Sequence, residues 1–270
     1  MSLTAQGQFL IRSLLLRGML VGLAAGLLAF CVARTLGEPQ VNKAIAFEEY
    51  VDANVHHESG EDAPVSRAVQ DSGGLGAGAI LYGVAFGGLF ALVFAGAYGR
   101  LGTMTARGTA AVLGLLGFLG VYVVPVLKYP ANPPAIGDPD TIGKRTTLFL
   151  LMMLLSISAM IVAVVVRRRL VIRFGEWNAT LVAAGGYLVA MALCFVLLPG
   201  INEIPQALIA GVVPAVTDAE TTFPPTVLWR FRVASFAIQA VMWATIAIGF
   251  GVVADRLLAY QQPQDVFTTR

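Results

Sequence analysis

The sequence predicts an all-α integral membrane protein, a polytopic bundle of about six transmembrane helices with both termini in the cytoplasm. Composition is the first reason: hydrophobic residues make up 57% of the 270 residues, charged residues 13%, and the mean hydropathy is +0.76. A soluble domain carries about 25% charged residues, so this chain has too little charge to cover a surface that faces water. Long charge-poor runs and a one-sided distribution of arginine are the other two reasons.

Each predicted span is a charge-poor run of sufficient length. A bilayer has a hydrocarbon core about 30 Å thick and each helical residue adds about 1.5 Å, so a span needs about 20 mostly apolar residues. The runs that qualify are approximately residues 14–33, 76–98, 108–127, 146–166, 178–198 and 233–254. The first run also resembles a signal peptide, but no small-residue cleavage pattern follows near Cys31, so we interpret it as a span. We expect residues 1–270 to form a single membrane domain.

Small residues recur at helical spacing in the first two spans, for example at Gly18, Gly22 and Gly26. Such residues let helix backbones approach closely, and close packing is what holds helices together in lipid. We therefore predict a compact bundle, and a face of small residues is also compatible with a homo-oligomer.

The distribution of arginine predicts the orientation. If the N-terminus is inside, the inner segments hold ten of the 18 basic residues but only three of the 16 acidic residues. Positively charged loops stay in the cytoplasm, and the cluster Arg167–Arg169 beside a span end is the strongest signal. This cluster could also bind anionic lipids, but we interpret it as a topology signal. The basic residues are too few and too dispersed for a nucleic-acid partner.

The first outer segment, which we call the acidic loop (residues 34–74), combines eight carboxylates with both histidines of the chain. If residues 44–56 are helical, Glu48, Asp52 and His56 recur every four residues and lie on one face, with His57 adjacent. Carboxylate and imidazole groups suit borderline divalent cations such as Co²⁺, Ni²⁺ and Zn²⁺. The alternatives are a metal site and a solvated acidic loop.

Prolines dominate the segment after the third span, which we call the proline strap (residues 128–141). Four of them make it rigid and non-helical: Pro130, Pro133, Pro134 and Pro139. Asp138 and Asp140 precede the fourth span, where they either cap the helix or hold a partly hydrated cation. We expect Asn132 and Pro133 to have a structural or gating role, and Arg145 or Arg232 to hold the carboxylates when no metal is bound.

The last outer loop begins with the turn that contains Glu203, which we also include among the structural or gating residues. The uncharged run 204–217 that follows is too short to span a bilayer, and we predict an interfacial or re-entrant segment. Arg232 ends this loop beside Trp229 and Phe231.

These outer motifs together resemble the CbtA family of predicted cobalt transporter subunits. The matching residues are Lys128-Tyr129-Pro130-x-Asn132-Pro133-Pro134, Gly137-Asp138-Pro139-Asp140-Thr141, Arg145, Asn202-Glu203-Ile204-Pro205, Phe223-Pro224, Trp229-x-Phe231-Arg232 and Glu38-Pro39 with Ala44-x-Ala46-x-Glu48. The resemblance implies a bacterial inner-membrane protein for cobalt uptake linked to cobalamin synthesis. It also implies a small single-span, His-rich partner of the CbtB type. Family members are often described with five spans, whereas this sequence predicts six.

The predicted spans contain no Asp, Glu, Lys or His. Ion-coupled transporters normally carry ionisable groups inside the membrane, so the sequence favours a channel or a subunit that works with another protein. A relay of soft sulfur ligands is conceivable from Cys31, Cys194, Met152, Met153 and Met242, but we favour simple packing for these residues.

We therefore predict an inner-membrane subunit of a divalent metal uptake system. It captures Co²⁺ at the outer carboxylates and histidines and passes it through the helix bundle, with Co²⁺ as cargo and no tightly bound cofactor. The alternative is a non-transporting assembly or binding subunit that organises a partner protein in the lipid bilayer. We do not expect an enzyme, because no nucleophile–base set is evident.

Overall fold

The computed structural model of the protein describes residues 3–51, 73–134, 136, 141–201 and 223–261. Every regular element within these ranges is helical, so the predicted all-α class is confirmed. Five helical runs are long and apolar enough to cross a membrane, which fits a polytopic bundle. They are Gln8–Tyr50, Leu75–Ala97, Ala106–Lys128, Ile142–Leu197 and Pro225–Ala259.

Seven α-helices and two π-helical turns make up these runs. They are α1 (Leu3–Val32), a π-helical turn (Ala33–Gly37), α2 (Glu38–Val51), α3 (Leu75–Ala97), α4 (Ala106–Gly117), a second π-helical turn (Phe118–Val123), α5 (Val124–Lys128), α6 (Ile142–Leu197) and α7 (Pro225–Gln261).

Each π-helical turn ends two residues before a proline. The first ends at Gly37, before Pro39, and the second ends at Val123, before Pro125. A proline inside a helix has no N–H to donate, and its ring clashes with the carbonyl four residues earlier. The wider π turn relieves this clash, so both helical runs continue past their prolines.

The start of the acidic loop is helical. Residues 38–51 form α2, and the continuous run Gln8–Tyr50 has 43 residues. The helix persists because Ala44 and Phe47 provide an apolar face that packs in a buried cluster.

Helix α6 folds back on itself at Gly175. This residue has φ 75° and ψ 170°, a conformation that glycine adopts without a steric penalty, within a stretch of 56 helical residues. The two halves contact each other: Ser156 Oγ lies 2.8 Å from the Tyr187 hydroxyl, and Arg167 Nε donates to Thr180 Oγ1 at 2.8 Å. The predicted spans 146–166 and 178–198 fall in the two halves of this antiparallel hairpin.

The chain is divided into two compact units. Unit 1 comprises residues 1–35, 64–115 and 236–270, and unit 2 comprises residues 36–63 and 116–235. In unit 1, α1 and α3 pack backbone to backbone. A Cβ atom added at Gly22 would overlap the carbonyl oxygen of Gly83, and one added at Gly83 would overlap that of Gly22. Gly18 and Gly87 have the same reciprocal relation, so the glycine spacing that predicted close packing produces it here.

The interior of unit 2 lies between the α6 hairpin and the helical run that ends in α5. Its buried cluster contains Tyr129, Met152 and Met191. The π-helical turn Phe118–Val123 also lies in this unit, and a Cβ atom added at Gly120 would lie 3.6 Å from Ser156 Oγ.

A matched pair of alanine substitutions in α3 tests the importance of the close helix contact. We expect Gly83→Ala to lower the stability of the detergent-solubilised protein by at least about 2 kcal/mol, because the added methyl must push two backbones apart. Gly78 has no atom within 4 Å of an added Cβ, so Gly78→Ala should cause no loss. Thermal unfolding followed by circular dichroism measures both. Equal effects of the two substitutions would show that the α1–α3 contact does not limit stability.

Candidate functional site

The proline strap is anchored at its start to the end of α6. Lys128 Nζ donates to the carbonyl oxygen of Phe195 at 2.7 Å, and the Tyr129 hydroxyl donates to that of Pro199 at 2.9 Å. The last carbonyl groups of a helix have no partner within the helix, so Lys128 satisfies such an acceptor in the last turn of α6. Tyr129 bonds to the segment that directly follows the helix. Burial raises the pKa of the Tyr129 phenol, which keeps the donating proton in place.

Arg232 holds the middle of the strap from α7. Its Nε donates to the carbonyl oxygen of Ala131 at 3.2 Å, and its Nη2 donates to Asn132 Oδ1 at 2.9 Å. A guanidinium presents several donors in a rigid fork, so one side chain fixes two consecutive residues of the strap. The adjacent Pro133 is buried. The structure thus brings together Asn132, Pro133 and Arg232, three of the predicted structural or gating residues. We expected Arg232 to hold carboxylates, whereas its described hydrogen bonds go to a backbone oxygen and an amide oxygen.

The later part of the strap packs against α2 and the start of α7. Ile136 shares a buried cluster with Ala44, Phe223 and Val227, and the rings of Phe47 and Phe223 meet edge to face with centroids 5.2 Å apart. Contacts from α2, α6 and α7 therefore converge on the strap within unit 2.

The buried face of α2 also carries polar side chains that the sequence reading did not single out as ligands. Gln40 is 8% exposed, and its Oε1 accepts no hydrogen bond from any residue that the structure describes. Gln40 precedes Ala44 by one helical turn, so it lies on the side of α2 that faces the cluster. Glu38, two residues earlier, is also 8% exposed. A buried amide oxygen without a donor costs roughly 1–3 kcal/mol, which marks Gln40 as a candidate functional residue.

The remaining predicted site residues are placed as follows. Glu48 is exposed near the end of α2, and Arg145 is half-buried in the first turns of α6. The other predicted ligands and Glu203 lie outside the described residues: Asp52, His56, His57, Asp138, Asp140 and Glu203. The predicted interfacial segment 204–217 lies outside them as well. Among the residues that are described, no three His, Cys, Asp or Glu side chains come together as a metal site.

Helix α6 begins at Ile142 and its N-cap residue is Thr141. Asp138 and Asp140 lie outside the described residues, so capping of α6 and cation binding both stay predictions for these two aspartates. Lys128 and Tyr129 are contacts that the sequence reading missed, since it used them only as part of a motif. The sequence signal for these contacts is a basic residue followed by an aromatic residue directly before a proline, at the end of a span.

Residues 11–255 match the family described as probable cobalt transporter subunit (CbtA). No curated protein and no solved structure matches the chain. The family match covers most of the chain and includes α2, the proline strap, the α6 hairpin and the start of α7. The chain therefore belongs to the CbtA family of probable cobalt transporter subunits.

Proposed function

We propose that this protein is the membrane subunit of a cobalt uptake system in a bacterial inner membrane, which captures Co²⁺ at the outer face and passes it through its helices. Family membership supports cobalt as the cargo. The observation that carries the capture role is the fixation of the proline strap by hydrogen bonds and packing from α2, α6 and α7. A rigid site loses little conformational entropy on binding.

In this proposal the chain crosses the membrane six times. A straight helix of 56 residues would be about 84 Å long, which far exceeds a hydrocarbon core of about 30 Å. The bend at Gly175 and the contacts across the hairpin support two crossings within α6. The Arg167–Arg169 cluster then lies at the cytoplasmic end of the hairpin, and the strap and α2 lie on the outer side.

The proposed ligands for capture are carboxylates and imidazoles of the outer segments. They are Glu48, Asp52, His56 and His57 in the acidic loop, and Asp138 and Asp140 in the strap. Oxygen and nitrogen donors of these kinds suit Co²⁺. We add Gln40 as a ligand inside the outer capture site, because no described residue donates a hydrogen bond to its buried amide oxygen, which is an acceptor that a partly hydrated cation can use.

The predicted spans contain no acidic residue, lysine or histidine, which favours a transporter that works with a partner. The family description as a subunit supports the same view, and the proposed partner is the small single-span CbtB-type protein. If the chain only organises that partner, changes in the strap should alter complex formation and leave the transport of the assembled complex unchanged.

Reporter fusions test the six-span topology. We expect fusions at Arg107 and Glu176 to report a cytoplasmic location, and fusions at Gly60, Pro139 and Ala219 to report a periplasmic one, because the arginines favour the inner side. Alkaline phosphatase and green fluorescent protein fusions read the two sides independently. A periplasmic signal at Glu176 would exclude two crossings within α6, and a cytoplasmic signal at Gly60 would overturn the whole orientation.

Replacing Gln40 tests whether this residue is a metal ligand or only a packing residue. Gln40→Leu removes the unpartnered oxygen, so the melting temperature in detergent should rise, in line with a gain of about 1 kcal/mol, while Co²⁺ uptake should fall. Gln239→Leu is the matched control, since the Gln239 side chain hydrogen-bonds to Tyr82 and its loss should lower the melting temperature. A normal uptake rate in the stabilised Gln40→Leu protein would remove Gln40 from the proposed site.

The aspartates of the strap are tested by Asp138→Asn combined with Asp140→Asn. Loss of a supporting group around a metal costs roughly 10–100-fold in affinity, so removing two charges from the ligands should lower uptake at limiting Co²⁺ by at least about tenfold. The control removes two charges elsewhere in the outer segments, by Asp218→Asn with Glu220→Gln, and should transport normally. Both proteins are compared at equal membrane levels and together with the small partner. Uptake by the strap variant at the control rate would make the strap purely structural.

A further inference from the structure

The α6 hairpin buries side chains that carry sulfur or oxygen and exposes its large aliphatic ones. The buried residues of this helix are Met152, Ser156, Ala179, Ala183 and Met191. By contrast, Leu150, Leu154 and Leu188 are 51%, 60% and 66% exposed. The two thioethers belong to one buried cluster, against which Leu148, Phe149 and Phe195 are partly buried.

The register of the hairpin brings the two thioethers to one level. Ser156 contacts Tyr187 across the hairpin at 2.8 Å. Because the two halves are antiparallel, a step of four residues back from Ser156 and four forward from Tyr187 leads to Met152 and Met191. These methionines are 0% and 5% exposed and belong to one buried cluster.

A thiol packs against the same cluster as the two thioethers. Cys194 follows Met191 by three residues, which places it on the same face of the helix, and it packs against the same cluster. It is a free cysteine with intermediate exposure. Ser156 and Tyr187 hydrogen-bond to each other, one helical turn away from Met152 and Met191.

We infer that Met152, Met191 and Cys194 form a binding site for a soft monovalent cation, Cu⁺ or Ag⁺, inside unit 2. Thioether and thiolate ligands from two helices favour Cu⁺ over hard, strongly hydrated divalent cations. When the cation binds, the Cys194 thiol releases its proton to solvent and the metal–thiolate bond forms, so the site remains neutral. The site is separate from the outer oxygen ligands proposed for Co²⁺ and does not depend on that function.

Silver binding to the purified full-length protein tests this site. The reference protein carries Cys31→Ser, which leaves Cys194 as the only thiol of the chain, and is titrated with Ag⁺ in a calorimeter. Met152→Leu with Met191→Leu conserves side-chain volume, and we expect it to weaken Ag⁺ binding by at least about tenfold, because even supporting groups around a metal contribute that much. Cys194→Ser should weaken binding as well.

The matched control replaces methionines outside the site. Met242 is 2% exposed but lies in unit 1, and Met153 is the neighbour of Met152 in sequence. Met153→Leu with Met242→Leu should leave the affinity unchanged. X-ray absorption at the silver edge of the loaded reference protein should show only sulfur in the first shell. An affinity that survives the loss of Met152 and Met191, or a first shell that contains nitrogen or oxygen, would overturn the inference, whatever the result for Co²⁺ uptake.

Discussion

Helices in a hydrocarbon environment cannot rely on water to satisfy their polar groups or on a hydrophobic force to hold them together. In unit 1 the solution is backbone contact at reciprocal glycine pairs, Gly22 with Gly83 and Gly18 with Gly87. In unit 2 it is a hydrogen bond across the hairpin, between Ser156 and Tyr187. The same constraint is consistent with the exposure of large leucines on the outside of the hairpin.

The constraint also shapes the ends of the helices, where carbonyl groups become free. Lys128 satisfies a carbonyl in the last turn of α6, Tyr129 satisfies one in the segment that directly follows, and Arg232 satisfies the carbonyl of Ala131. Each of these contacts involves the proline strap, which itself has few N–H groups to offer because of its prolines. The same side chains therefore satisfy free carbonyl groups and hold the strap in place. A mutation there should affect several helices together.

The fold class followed from composition and from the length of the apolar runs, because both depend directly on the thickness of the bilayer. The pairing of Asn132 with Arg232 did not follow, since it joins residues 100 positions apart and requires the tertiary arrangement. The sequence also could not reveal that α2 continues the first helix, because its polar residues resemble those of a loop. Its packing partners, Ile136 and Phe223, are remote in sequence.

The candidate site was predictable only in part. Proline and aspartate in the strap were visible as a motif, but the isolation of Gln40 Oε1 depends on what surrounds it in the fold. Likewise, we interpreted the sulfur-containing residues as packing elements, because the register of the hairpin cannot be read from the sequence alone. The contact between Ser156 and Tyr187 supplies that register and brings Met152 and Met191 to the same level.

The tight bend at Gly175 has a consequence for how the protein is made. Two apolar segments joined by one turn can leave the translocation machinery as a single paired unit, since the hydrogen bonds of each backbone are already satisfied within its own segment. In the proposed six-span topology, Arg167, Arg168 and Arg169 in the first half of the hairpin oppose transfer of its turn across the membrane. The two halves of the hairpin can then pair before the ribosome has synthesised α7.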